Sequence, residues 1–422
     1  MSAADVLQIQ PAVELEFPTQ TANAYQIEAS TDLSNWRPWE SFVLGDGSPL
    51  RRMTSMSPTR EFFRVKETPI RNLNSILETI RSNNAAPALG CAVVMSNQIV
   101  GLGAVGVRKW NFPSSMVTVG DRWHHGSITK SMTATLAAMM VEKGEIRWDS
   151  TLAEVFPDFA ASMHPQWREA TLEHLASNRS GAPNTLDPTT IWNGLVVFGG
   201  MPMEARRQLL EKLTVTAPNA PPGTRYEYSN AGFSLAGHML ERVAGKPWED
   251  LLTERLFKPL GMTTAGFGPP ATPRLVDHPW GHQLPSSTPI PNETVDNPTA
   301  IGPASTVHCS LADLARYAAF HLAGHRADTA FLSQASFLKL HTAYPNNSDY
   351  ALGWFSLDRA WGGGERVVMH GGSNNLWYSL LWFAPGRDFA VIATCNIAGS
   401  PVNRGSNAAN QTVGRMITEF LD

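Results

Sequence analysis

The character of this chain changes several times along its length, and each change limits how it can fold. Residues 11–66 run in short alternating stretches, VELEF, AYQIEAS, WESFVL and EFFRV, parted by Asp, Gly, Pro and Ser. That is the pattern of a small all-β module of about four to six strands. After Pro69, residues Ile70, Leu73, Ile76, Leu77 and Ile80 recur at helical spacing and mark an amphipathic helix. A hairpin from Leu89 to Val107 comes next, turning at Ser96-Asn97. The stretch 121–345 is helix-rich, with long loops bearing Pro and Gly. Strands return at 365–370, 376–384 and 389–395, the last two parted by Pro385-Gly386-Arg387-Asp388, and a final helix covers 406–421. The chain therefore divides into an all-β module, 1–67, and a larger unit of mixed helix and strand, 68–422, whose helical part spans about 121–345. No internal repeat or low-complexity tract interrupts it.

Three motifs carry chemistry. Ser127-Ile128-Thr129-Lys130 sits where a loop enters a helix, SITKSMTATLAAMMVE, that stops at Gly144. Ile128, Met132, Leu136 and Met139 give that helix one apolar face. Ser127 and Lys130, three apart, share a face of its first turn. A serine hydroxyl is a poor nucleophile until a neighbour takes its proton. A lysine within reach does so, and the positive end of the helix favours the alkoxide. Alone, the tetrad is common and reads better as a capping serine followed by a solvated lysine; two further motifs reverse that reading.

Tyr228-Ser229-Asn230 comes after a Pro-Gly turn and opens a helical run, SLAGHMLERVAG. A phenol beside a cationic lysine has its ionised form favoured and can act as a base. Asn230 offers a donor and an acceptor to hold a substrate carbonyl and the lysine. His370-Gly371-Gly372 ends one strand-like run, RVVMH, and precedes another, LWYSLLWFA. Its glycines let backbone approach a ligand closely, and the amide after them can point at a developing oxyanion.

In this order the motifs resemble the serine β-lactamase and penicillin-binding-protein superfamily. The resemblance is to its class C branch, with the related family VIII carboxylesterases and D-alanyl-D-alanine carboxypeptidases. It extends from about residue 69 to 422 and includes Thr171-Leu-Glu-His-Leu-Ala-Ser-Asn-Arg-Ser-Gly, Tyr226-Glu-Tyr-Ser-Asn-Ala-Gly-Phe, Lys258-Pro-Leu-Gly-Met and Tyr350-Ala-Leu-Gly-Trp. It implies an α+β fold: an antiparallel sheet shared by N- and C-terminal strands, flanked by helices, with the helical region inserted and the cleft at the junction. It implies that Ser127 is acylated and that Lys130 shares its proton and keeps the site cationic. Tyr228 would serve as base and then acid, and Asn230 would position substrate. The amides of Ser127 and Ser373, beside Gly371 and Gly372, would form the oxyanion hole.

His370 stands where β-lactamases of this branch usually carry the lysine of Lys-Thr-Gly. A histidine with a pKa near ~6.5 is mostly neutral at pH 7, which favours uncharged substrates such as esters. The expected activity is a carboxylesterase on short or medium acyl esters, needing no metal or organic cofactor. A β-lactamase or D-alanyl-D-alanine carboxypeptidase, or a penicillin-recognising protein that acylates without turnover, shares the same residues.

Other candidates carry less. Gly101-Leu-Gly-Ala-Val-Gly106 matches the dinucleotide fingerprint, but the next residues, VRKWNFPSS, have no helical period to receive a pyrophosphate. Gly232-Phe-Ser-Leu-Ala236 nearly matches a nucleophile elbow, yet no strand precedes it, so Ser234 is read as a helix residue. His321 and His325, on a helix opened by Ser310 and Asp313, have zincin spacing without its glutamate and are read as a surface pair. His124 and His125 are expected in a polar loop at the cleft mouth, with one lining the acyl pocket as the alternative. Arg404 is read as a solvated arginine. Ala29-Ser-Thr-Asp-Leu-Ser-Asn-Trp36 with Phe62-Phe63-Arg-Val resembles β-sandwich-like appendages of exported bacterial proteins, and is read as packing rather than capture.

Composition excludes several partners. The 422 residues suffice for two or three cored domains, and a net charge of −4 gives no basic field for nucleic acid or an anionic membrane. Charged residues are 17%, while Trp reaches 13, read as core and cleft lining. Cys91, Cys309 and Cys395 are too widely spaced for a disulfide framework or metal motif, and Cys91 and Cys395 fall in strands as buried thiols. No stretch has the ~18 uninterrupted apolar residues of a membrane span. The sequence begins without a basic and apolar signal, so the expectation is a cytoplasmic protein or one whose signal has been removed. The expected partner is a small ester or amide.

Overall fold

Ser96 and Asn97 both take left-handed backbone, with φ of 50° and 64°. Two such residues in succession make the turn whose twist matches a hairpin. Accordingly Ala88–Met95 and Gln98–Gly106 pair antiparallel, with an irregularity between Val93 and Val94. The computed structural model describes residues 12–55, 60–327, 329, 331–344, 349–398 and 403–422.

This hairpin belongs to a seven-stranded sheet and lies one strand in from its edge. Its order is Phe355–Leu357, Val367–Ser373, Tyr378–Ala384, Phe389–Cys395, Ala88–Met95, Gln98–Gly106 and Arg71–Asn72. All pairs are antiparallel except the last. Phe389–Cys395 pairs along its whole length with Ala88–Met95, closing the two ends of the α+β unit into one sheet.

Alternate residues feed two cores, as strand geometry requires. Cys91, Val93, Val391 and Ala393 pack with Leu73, which caps the helix Asn74–Asn83, with Leu77 of that helix, and with Val413 and Met416 of the helix Arg404–Leu421. Ala92, Val94 and Ile392 pack on the opposite face with Leu311 and Leu314 of the helix Leu311–His325. Both faces are covered, so these strands read as unbroken apolar runs. Ile70 lies outside the first helix, because Arg71–Asn72 first joins the sheet edge parallel to Gly101-Leu102.

In the N-terminal stretch, Asn23–Ser30 pairs over eight residues with Phe62–Pro69 and also with Arg37–Pro38 and Val43–Leu44. Ala12–Phe17 pairs with Leu50–Ser55. Phe42 is buried in the large core, where the Arg316 guanidinium lies 5.1 Å from its ring centre and Nε donates to its carbonyl at 3.1 Å.

The helix Thr129–Glu142 was expected to show one apolar face and is instead buried on all sides, Thr129 through Met140. It is enclosed by Asn230–Ala244, Gly302–Ser305 and Gln334–His341. Its polar side chains are satisfied internally: Thr133 donates to the Pro303 carbonyl at 2.6 Å, and Thr129 accepts from the Val307 amide at 3.0 Å.

The histidines of the helix Leu311–His325 correct the surface-pair expectation. His321 is fully buried, and His341 from the helix Gln334–His341 sits between it and His325. His321 Nδ1 lies 2.9 Å from His341 Nε2, and His341 Nδ1 lies 2.7 Å from His325 Nε2. The two helices approach closely because Gly324 carries no side chain where Phe337 packs. The nitrogens form a line rather than converging on a point, and no metal-holding cluster occurs among the described residues. Cys91, Cys309 and Cys395 are buried and unpaired.

Candidate active site

Gly126, at φ +51°, bends the chain into the short turn Gly126–Ile128, which presents Ser127 and leads into the buried helix. Lys130 is fully buried one turn on, and its Nζ is 3.0 Å from Ser127 Oγ. The same nitrogen is 2.6 Å from Asn230 Oδ1 and 3.1 Å from the Ala304 carbonyl. Two of these three partners are carbonyl oxygens, which only accept. They consume two N–H bonds, and a neutral amine then has one lone pair left, facing the serine hydroxyl.

The electrostatics agree with that count. Burial pushes the Lys130 ammonium well below its usual 10.5. The tyrosine of the second motif is displaced the opposite way: burial pushes the Tyr228 phenol well above 10, and its hydrogen bond to Ser127 pulls it back only in part. Both shifts run against the expectation of a cationic lysine beside an ionised phenol. Desolvation is the largest cause for each, and it disfavours the ammonium and the phenolate alike. The lysine nitrogen lies 4.6 Å from the Tyr228 ring centre.

Asn230 is the first residue of the helix Asn230–Ala244, capped by Ser229 Oγ, which accepts from the Gly232 amide at 3.1 Å. Ser229 also donates to the Pro183 carbonyl at 2.7 Å, and its amide is held by Asn178 Oδ1 at 3.0 Å. Asn178 belongs to the Ser-Asn-Arg-Ser-Gly stretch, so this motif holds the tyrosine segment in place. Gly353 of Tyr350-Ala-Leu-Gly-Trp, at φ +73°, packs against the Lys130 backbone, where a Cβ would come within 2.7 Å of its carbonyl.

The third motif meets the first through glycines. A Cβ on Gly126 would lie 2.4 Å from the Ser373 amide nitrogen, and one on Gly372 would lie 2.7 Å from that of Ser127. The strand Val367–Ser373 and the serine turn thus approach with both amides at the contact.

The structure brings Ser127, Lys130, Tyr228, Asn230, Gly372 and Ser373 together. It does not give His370 a face to the cleft. That ring is 1% exposed, with Nδ1 2.6 Å from the Gly371 carbonyl and Nε2 3.3 Å from the Tyr350 hydroxyl. The carbonyl can only accept, so Nδ1 carries the proton and Nε2 takes the tyrosine hydroxyl. Burial, helped by the nearby Lys130, pushes the imidazole down to about 3.

His124 and His125 also depart from expectation. Both are 0% exposed and line no cleft mouth. His125 bridges Ser379 Oγ and the Cys309 carbonyl, each at 3.1 Å, and burial pushes it to about 3. His124 faces Asp296, which no sequence motif marked. Arg404 spends its guanidinium on the backbone carbonyls of Ser287 and Ala85. Ser234 is a helix residue, its hydroxyl donating to the Asn230 carbonyl at 2.9 Å. Gly101–Gly106 lies within a sheet strand. No helix among the described residues is long and apolar enough to cross a membrane.

Comparison with known proteins bears on the fold and the family. The chain is 26% identical over 321 residues to penicillin-binding protein 4 of Amycolatopsis lactamdurans, covering 73% of this chain and 80% of the relative. It is 24% identical to an unguisins hydrolase of Aspergillus campestris over 74% of its length, and spans 58% of that protein. Its fold matches that of a D-amino acid amidase from Ochrobactrum anthropi with a TM-score of 0.64 at 19% identity, covering 82% of this chain and 97% of the amidase. The Beta-lactamase family pattern matches residues 73–414, a span that holds the serine turn, the tyrosine segment and the glycine strand alike. On that match the chain belongs to the Beta-lactamase family.

Proposed function

We propose that this protein is a serine hydrolase that forms an acyl-enzyme on Ser127, and that it acts as a carboxylesterase on short or medium acyl esters. The observation that carries this is the Lys130 nitrogen, 3.0 Å from Ser127 Oγ with its other two contacts on carbonyls. Ser127 gives its proton to the Lys130 lone pair as Oγ attacks the ester carbonyl. The Ser127 and Ser373 amides take the oxyanion. The Tyr228 phenol protonates the departing alkoxide and is restored from the Lys130 ammonium. Water then attacks the acyl-enzyme, losing its proton to the same pair, and Ser127 Oγ leaves with a proton.

Ester preference rests on the third motif. With His370 neutral and turned inward, that position supplies no fixed cation for a substrate carboxylate. A second reading, hydrolysis of an amide such as a D-amino acid amide or a β-lactam, draws support from the fold it shares with the amidase. The described residues of the N-terminal module are assigned a packing role, through Phe42.

The test is steady-state hydrolysis of a nitrophenyl butyrate, a chromogenic cephalosporin and a D-amino acid amide, with Ser127→Ala as blank. Ester turnover that exceeds the other two and vanishes in the variant supports the carboxylesterase. Amide or cephalosporin turnover at equal kcat/KM transfers the assignment to the second reading. Activity that survives Ser127→Ala ends the mechanism.

A further inference from the structure

Asp296 lies in the loop ahead of the Thr299–Ile301 turn, and its side chain is only 8% exposed. Its two oxygens reach in opposite directions. Oδ2 is 3.0 Å from His124 Nε2. Oδ1 accepts from Asn374 Nδ2 at 3.1 Å and from the Asn297 amide at 2.7 Å. The other nitrogen of His124, Nδ1, accepts from the Gly126 amide at 3.1 Å. A donor at Nδ1 requires that nitrogen to be bare, so the ring proton sits on Nε2 and points at Asp296.

His124 precedes the Gly126–Ile128 turn, and Asn374 comes directly after the strand Val367–Ser373. One carboxylate therefore ties together the two segments that carry the Ser127 and Ser373 amides. Neither Gly126 nor Gly372 has a side chain with which to set that spacing. A carboxylate only accepts, so both arms must turn donors toward it, and an ionised acceptor strengthens each bond. Donors to a developing oxyanion act only when aimed at where the charge appears, so a small shift of either segment is felt in the rate.

We infer that Asp296 is a positioning residue for the oxyanion hole, acting through His124 on one side and Asn374 on the other. The inference rests on the Ser127 acyl-enzyme reading above.

Two variants separate the arms. Asp296→Asn keeps the shape and the contacts of Oδ1 but turns an NH2 toward His124. The ring must then accept at Nε2 and carry its proton at Nδ1, where it opposes the Gly126 amide. Asn374→Ala cuts the other arm and leaves the buried histidine alone. Two readouts apply: kcat and KM on nitrophenyl butyrate, and the inhibition constant of phenylboronic acid, whose tetrahedral adduct on Ser127 places an oxygen in the hole. Both variants are expected to lose about 10–100-fold in kcat, with KM within about threefold and boronate affinity falling in parallel. Loss of packing alone would lower the melting temperature without this parallel fall. Either variant retaining kcat within about twofold of wild type, or losing kcat with boronate affinity unchanged, overturns the inference. If Asp296→Asn does not fold, Asn374→Ala decides on the same criteria. Wild-type protein that neither turns over the ester nor forms a Ser127 adduct overturns the parent reading and this one together. An active wild type with unaffected variants overturns this one alone.

Discussion

Gly372 rests against the backbone carbonyl of His125 so closely that a Cβ on it would lie 1.8 Å from that oxygen. At this point the strand meets the serine turn backbone to backbone. Gly372→Ala has to part them and with them the two amides at the contact. The expected result is a loss of about 10²–10³ in kcat, as for removal of an oxyanion donor. Gly414→Ala is the control, since nothing lies within 4 Å of its Cβ position in the helix Arg404–Leu421. It should leave kcat unchanged and gain up to about 1 kcal/mol in a urea melt.

Lys130 is neutral in the folded protein over a range where the unfolded chain carries it charged, because burial lowers it well below 10.5. The unfolded state then binds more protons, so the lysine makes stability rise with pH. Its contribution is fully present above 10.5 and lost as pH falls toward the folded value. Lys130→Met should be inactive, and its stability should climb less steeply with pH than that of wild type. The measurement is urea unfolding at several pH values between about 6 and 10. Parallel slopes would mean that Lys130 keeps its charge when buried.

Four of the buried imidazoles illustrate an acid limb. Burial pushes His125 and His370 to about 3 and His282 and His308 to about 4, against 6.5 unfolded. Below 6.5 the unfolded chain takes up protons that the folded protein refuses, so stability falls as pH drops from there toward 3–4. Each contributes up to about 1.4 kcal/mol per pH unit. Unfolding free energy should decline by more than about 3 kcal/mol per unit between about pH 6 and 4.5. A decline under about 1 kcal/mol per unit would show the rings charging inside the fold. In the same interval kcat/KM should show no step from His370.

His341→Ala removes the middle of the histidine line and leaves His321 Nδ1 and His325 Nε2 without it. Orphaning the fully buried His321 nitrogen costs about 1–3 kcal/mol, with a cavity added, and the half-buried His325 adds less. A surface histidine would cost within about 0.5 kcal/mol. Denaturant melts decide between these, and kcat at room temperature should not change in the molecules that stay folded.

The hairpin at Ser96-Asn97, the strands at 376–384 and 389–395 and the final helix were legible because turn chemistry and apolar runs are local properties. The juxtaposition of Ser127, Lys130, Tyr228 and Asn230 was expected for another reason: the three motifs in their order resemble a known family, whereas spacing alone joins only Ser127 to Lys130. What failed was whatever depends on the element packed opposite. Spacing put His321 and His325 on one helix face but could not say that His341 and Phe337 cover it. Lys130 read as a cation because nothing in SITKSMTATL reveals a helix enclosed on every side. Asp296 and the Ala304 carbonyl carried no signal, one a lone loop carboxylate and the other a backbone atom present in any residue.

The enclosure of the helix Thr129–Glu142 makes the reactive serine hostage to the whole core. Enzymes whose catalytic groups ride on loose loops lose activity before they melt, through local opening. Here the turn of Ser127 continues directly into a helix that cannot move without emptying the interior. Activity should therefore persist nearly undiminished up to the denaturant concentration that unfolds the α+β unit, and the two losses should coincide as one cooperative event.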